Sequence, residues 1–184
     1  QTLAPDFVFL QEVQGRHDKQ QKKIPDWPEL SQTNFIASDL WQYTAYAKNA
    51  IYQSGHHGNA ILSKHPIVTQ ENINLSFLPR ASRSLLHGVI SLNSDHIHLI
   101  CVHLGLFKEE RLKQVETLAE RIIEFIPSDE PLILAGDFND WRKDLSGCLE
   151  NRLGLKEAMK EINGDHAKSF PALTPAFHTD RIYY

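Results

Sequence analysis

The stretch Leu132–Trp141 reads LILAGDFNDW. Four apolar residues lead to Gly136, the pattern of a strand buried on both faces. Asp137 and Asn139 then follow two positions apart. Both residue types end strands well, because their side chains bond their own backbone and tolerate left-handed geometry. A plain turn accounts for them. So does a strand end that presents chemistry, and the choice depends on where the other strands stop.

Working outward, PDFVFLQEV (Pro5–Val13) is a short apolar run expected to form a strand buried on both faces. Gln14–Glu29 is polar, carries KQQKK and two prolines, and reads as a long surface loop able to carry function. YTAYAKNAIY and GNAILS read as paired strands around the turn-like QSGHHG, and HPIVTQENINLSF as a further strand. SLLHGVISL places Leu86, Gly88, Ile90 and Leu92 on one face, and a turn at Asn93–Asp95 joins it to HIHLICVHL as a hairpin. Phe107–Ile126 repeats apolar residues at helical spacing (Leu112, Val115, Leu118, Ile122, Ile126) until Pro127. Lys143–Lys160 predicts one or two short helices broken near Gly154, and TDRIYY a last strand. Antiparallel strands with helices outside them predict a layered α/β sandwich.

The totals narrow the function. The 184 residues suit one domain, 1–184, with 23% charged and 41% apolar residues, as in ordinary globular proteins. A net charge of −4 argues against tight, sequence-independent grip on duplex DNA, which is usually the work of basic domains. No apolar run approaches the roughly 20 residues of a membrane helix. Cys101, inside HLICV, reads as a small buried hydrophobe, and with Cys148 forms no disulfide framework, so a reducing, cytoplasmic setting is expected. The chain starts at Gln1 rather than Met, which leaves open what lies upstream.

Glu12, His103, Asp137 and Asn139 all stand at the ends of apolar strands. Singly, each has a plain explanation: a solvated rim glutamate, a hydrogen-bonded imidazole, an Asx turn. Together they suggest convergence, and for Glu12 and Asp137, 125 positions apart (137 − 12), it would be tertiary.

LQE, GNAILS, VHLG, GDFND and TDRIYY, in that order, resemble the endonuclease/exonuclease/phosphatase superfamily. GHHGNAILSKHPI with ICVHLGLFKEER is similar to its small bacterial members, most of them without an assigned substrate. The resemblance runs from Leu10 to Tyr183 and implies a four-layer α/β/β/α sandwich of two mostly antiparallel sheets with outer helices. It implies a phosphodiesterase, nuclease or phosphatase that uses Mg²⁺ or Mn²⁺. In that reading Glu12 is the metal-holding carboxylate, suited to a hard ion that keeps most of its waters. Asp137 activates the attacking water. Asn139 bonds the nucleophile or a phosphoryl oxygen, and its two-residue spacing from Asp137 would put both on one side of an extended segment. His103 donates to a non-bridging oxygen. Asp180 orients a catalytic histidine.

Arg83 offers a guanidinium to phosphate oxygens, or is a solvated arginine near a loop. His57 and Asn59 are expected to line the cleft and His56 to point away. Trp141 is a candidate to wall the substrate site or stack on a base, with packing beneath the following helix as the favoured reading. His96 and His98, alternating on a strand with His56 and His57 nearby, raise a zinc reading that no cysteine pair or HExxH spacing supports.

Family members carry an asparagine strand before LQE and an SDH strand after DRI. Neither occurs between Gln1 and Tyr184, so the expectation is a chain lacking both terminal strands and, taken alone, inactive. The substrate is a phosphate ester in nucleic acid, a phospholipid head group or a small metabolite. A silent phosphate-binding module on the same fold is the alternative, and the retained Glu12, His103, Asp137 and Asn139 weigh against it.

Overall fold

A computed structural model describes residues 3–27, 30–77, 82–93 and 95–184. The elements run β1 (Phe7–His17), α1 (Asp18–Lys23), α2 (Gln32–Ala37), β2 (Tyr43–Tyr52), β3 (Gly55–Ser63), β4 (Ile67–Asn74), β5 (Ser84–Leu92), β6 (Asp95–His103), α3 (Lys108–Phe125), β7 (Leu132–Asp137), α4 (Ser146–Leu153), α5 (Ala158–Asn163) and β8 (Asp180–Tyr183). One sheet has the order β1-β3-β2 and is antiparallel throughout. The other has the order β4-β5-β6-β7-β8, and within it only β6 and β7 run parallel. Alternation along each strand gives each sheet an inner apolar face.

Those inner faces pack against one another through Ala45, Ala47 and Ile61 on one side and Leu86, Ile90, Leu99 and Cys101 on the other. The alanines leave room for the larger side chains opposite. Leu85, Ile100, Val102 and Leu134, on the outer face of the larger sheet, are covered by Val115, Leu118 and Ile122 of α3 and by Leu149 of α4. On the outer face of the smaller sheet, α2 turns in Thr33 and Ala37. The result is the four-layer α/β/β/α sandwich with mostly antiparallel sheets.

Several local expectations change. β1 continues four residues beyond Val13 and stands beside β3 alone in the sheet order, so its side chains are mostly half-buried rather than buried on both faces. An apolar run marks a strand but not its place in a sheet. The expected loop Gln14–Glu29 begins as strand and then forms α1, capped by His17, whose Nδ1 accepts the Gln20 N–H; Pro28 and Glu29 lie outside the described residues. α2 has no apolar period for sequence reading to catch, since its six residues bury only two side chains. The turn after β2 shrinks to Gln53–Ser54, because Gly55–Gly58 already pairs in β3. Ser94, within the expected turn Asn93–Asp95, lies outside the described residues. Among the described residues no helix is long and apolar enough to cross a membrane.

Candidate active site

The parallel β6–β7 pair and the antiparallel β7–β8 pair align three strand ends. His103 stands opposite Asp137, and Asp137 opposite Asp180. His103 Nε2 lies 3.7 Å from Asp137 Oδ2. Gly136 makes this approach feasible: its φ of 145° is disfavoured for L side chains, and a Cβ there would overlap the Val102 carbonyl. Glu12 comes from the other sheet. The register of β1 on β3 slips between Leu10 and Val13, and Glu12 sits in that bulge with φ of 56°. Bulges re-aim side chains, and a left-handed glutamate is a strained residue held in place by its surroundings.

The charges of these groups act on one another. Burial pushes the Asp137 carboxyl up to about 6; the Asn139 backbone N–H opposes this, Asp180 and Glu12 add to it, and Arg83 opposes it. Burial, with Arg83 and His57 nearby, pushes the His103 imidazole down to about 3, so it is neutral at physiological pH. Arg83 and His57 therefore both lie within electrostatic reach of the strand ends.

Asn139 departs from the expected geometry. β7 ends at Asp137, Phe138 turns fully inward, and Asn139 adopts φ of 49°. Asp137 Oδ1 accepts the Asn139 N–H at 2.8 Å, and Asn139 Nδ2 donates to the Leu104 carbonyl at 2.9 Å. The segment is an Asx turn, not an extended pair. Asp137 and Asn139 nonetheless line one cavity of about 400 Å³ with Leu106, Trp141, Phe170 and Phe177. Trp141 is 38% exposed there and lines the cavity, with the guanidinium of Arg111 from α3 lying 5.2 Å from its ring centroid.

Asn59 is corrected outright. It is fully buried between the sheets, and its Nδ2 donates to the Ser84 and Cys101 carbonyls, so it bridges layers instead of lining a cleft. His56 turns to the Tyr46 hydroxyl, 3.0 Å from Nδ1. The histidines behind the unsupported zinc reading fall into two separate groups. His98 bonds Glu130 at 2.5 Å and His87 at 2.8 Å in the larger sheet, while His56 and His57 belong to β3 in the smaller one.

Sequence reading missed the residues that support the site. Asp140 is fully buried and accepts the backbone N–H groups of Asp144 and Leu145. Arg181 Nη2 lies 3.1 Å from its Oδ2 and donates to its carbonyl at 2.7 Å, tying β8 to the turn after β7. The second aspartate of GDFND and the arginine of DRI were the available signal. Asp180 is held by Thr179, whose hydroxyl donates to Oδ2, and by Ser169 Oγ, which accepts its N–H. From α3, Gln114 accepts the Gly105 N–H, and Arg111 donates to the Leu106 carbonyl, fixing the loop that follows His103.

The donors suit a hard divalent cation. Glu12, Asp137 and Asp180 accumulate negative charge that Arg83 only partly offsets. Among the described residues no three His, Cys, Asp or Glu side chains close into a cage. Mg²⁺ needs no such cage, since it keeps several waters and takes one or two carboxylates.

An α/β sandwich with carboxylates, imidazole and guanidinium at adjoining strand ends is the architecture of a hydrolase family. The chain belongs to the Endonuclease/Exonuclease/phosphatase family, whose model matches residues 1–182. It is 40% identical, over 99% of its length and 72% of the relative's, to the uncharacterized protein YbhP of Escherichia coli strain K12. Among solved structures it is similar in fold to D. rerio TDP2 in complex with a single-strand DNA product (18% identity, TM-score 0.62, covering 97% of this chain and 70% of that one). It is likewise similar to a mannosyl-6-phosphatase of Bacteroides thetaiotaomicron (16%, 0.65, 97% and 70%) and to the human Nocturnin catalytic domain with bound sulfate (17%, 0.62, 98% and 69%).

Proposed function

We propose that this protein is a divalent-metal-dependent phosphoesterase that hydrolyses a phosphodiester or phosphomonoester by in-line attack of water. The observation that carries this reading is the register-matched set His103, Asp137 and Asp180, with the Asp137 carboxyl at about 6. A base poised near neutral pH is ionised under working conditions yet still able to accept a proton. Asp137 takes the proton of the attacking water as the new P–O bond forms and the ester P–O bond breaks. Neutral His103 donates a hydrogen bond to a non-bridging oxygen, and Arg83 adds positive charge there. Asn139 keeps Asp137 oriented through its backbone N–H. Asp180 adds to the field that keeps Asp137 basic. Glu12 would hold Mg²⁺ or Mn²⁺, which when bound neutralises charge on the phosphoryl oxygens.

The cavity lined by Leu106, Trp141, Phe170 and Phe177 receives the group esterified to the phosphate. TDP2 with a single-strand DNA product and a mannosyl-6-phosphatase show that related folds serve both nucleic acid and sugar phosphates, so the fold alone does not choose the substrate. The test uses the full-length gene product with bis-p-nitrophenyl phosphate, Mg²⁺ and a chelator control. Turnover should require the ion and fall by at least about a thousandfold in Asp137→Ala. Activity that survives the substitution removes Asp137 from the proposed role.

A further inference from the structure

A chain of rings leaves the candidate site along the smaller sheet. His57, which acts on His103 electrostatically, lies 6.0 Å from Tyr52 between ring centroids. Tyr52 is 6.1 Å from His17, and His17 is 6.4 Å from Trp27. Each step falls within the range of aromatic contact. All four rings keep part of their surface exposed, and Tyr52 is 37% exposed. The ring path ends at a second cavity of about 270 Å³, lined by Gln14, His17, Trp27, Leu30 and Phe35. Gln14 holds the middle of this path, donating from Nε2 to the Tyr52 hydroxyl at 2.8 Å and to the His56 carbonyl at 2.9 Å.

Charge follows the rings. α1, whose capping residue is the ring-path member His17, carries Lys19, Lys22 and Lys23. Among the described residues these three lysines form no ion pair or side-chain hydrogen bond. A protein of net charge −4 thus carries three exposed lysines on the helix that His17 of the ring path caps, of which Lys22 also acts on Asp18. Aromatic faces alternating with backbone-tracking cations suit unpaired nucleotides: any base can stack, and the lysines meet phosphates without reading sequence. A duplex keeps its base faces occupied and fits this surface poorly.

We propose that the His57–Tyr52–His17–Trp27 path is an extended binding track for single-stranded nucleic acid, leading two or three nucleotides away from the hydrolytic centre. The proposal rests on the phosphoesterase reading for what happens at the centre, but binding along the track does not require turnover.

The experiment measures fluorescein-labelled oligothymidylates of two, four and eight nucleotides binding to the full-length protein by anisotropy, with chelator present. Affinity should rise from two to four nucleotides and then level off. Trp27→Ala and Tyr52→Leu should each weaken the four-nucleotide probe by roughly tenfold. Tyr52→Phe, which keeps the ring and loses the hydroxyl, should stay within about twofold, separating stacking from hydrogen bonding. Replacing Lys19, Lys22 and Lys23 together by Glu should reduce the slope of log affinity against log salt by about two. Melting temperatures confirm that each variant is folded. Affinity that ignores probe length, or that is unchanged in Trp27→Ala and Tyr52→Leu, overturns the track. So does binding of phosphatidylglycerol vesicles through the three lysines with no binding of oligothymidylate. Absence of bis-p-nitrophenyl phosphate turnover, by contrast, counts against the phosphoesterase reading, and the anisotropy series still decides the track.

Discussion

Asp137 is an acid whose surroundings oppose its charge: burial, Glu12 and Asp180 act against the carboxylate, and only the Asn139 N–H and Arg83 act for it. Its position therefore costs the fold stability, and the raised value is what suits it to the proposed role of base. With a folded value near 6 and an ordinary one near 3.8, its stabilising contribution is fully present below the lower value and lost as pH rises through the higher. Asp137→Asn should accordingly be inactive yet melt higher than the parent above pH 6 in chelator. The gap should close towards pH 4, and a two-unit shift caps it at about 3 kcal/mol. Thermal unfolding across that pH range checks the sign, and a parent as stable as the variant at pH 7.5 would show that the carboxylate is not under this stress. His103 works in the same direction. Burial keeps its imidazole neutral, so the donor role proposed for it needs no protonation.

The strand β7 shows how local geometry supports that chemistry. Gly136→Ala would force a side chain against the Val102 carbonyl at a disfavoured φ, so it should lose about 1–3 kcal/mol and most activity together. A chemical-denaturation midpoint within error of the parent's would contradict this account. Here the limits of sequence reading are plain. LILAGD announced a buried strand and its polar end because composition and period carry that information. The shared strand-end positions of Glu12, His103 and Asp137 suggested that they converge, Asp180 joined them only through the family resemblance, and the pairing partners of β7 were not legible at all. The bulge that turns out Glu12 was invisible, since one extra residue in a ladder leaves no mark in the pattern. Asn59 misled because GNAILS looks the same whether its amide faces solvent or binds the Ser84 and Cys101 carbonyls. Asn139 misled for a related reason: two-residue spacing implies one face only while the backbone stays extended.

Across the molecule, the turn after β7 is anchored by a buried ion pair spanning 41 positions, Arg181 with Asp140. Asp140 also lies 3.9 Å from the buried Arg111 guanidinium, so its removal takes away the acid that two buried cations share. Asp140→Ala should therefore destabilise the protein by about 3–5 kcal/mol. It should also lower turnover although Asp140 touches no substrate. Urea unfolding gives the stability change, and a loss under 1 kcal/mol would show that the pair is not structural. The single parallel pairing has a different consequence. Every other neighbouring pair in the two sheets is antiparallel, but His103 and Asp137 become neighbours only after the chain has travelled through α3 and back along β7. Loop closure of that length has to be completed before the two groups meet. In the full-length gene product the proposed hydrolysis should therefore appear during refolding with the docking of α3, after the β5–β6 hairpin has formed, and so serve as a late clock for folding.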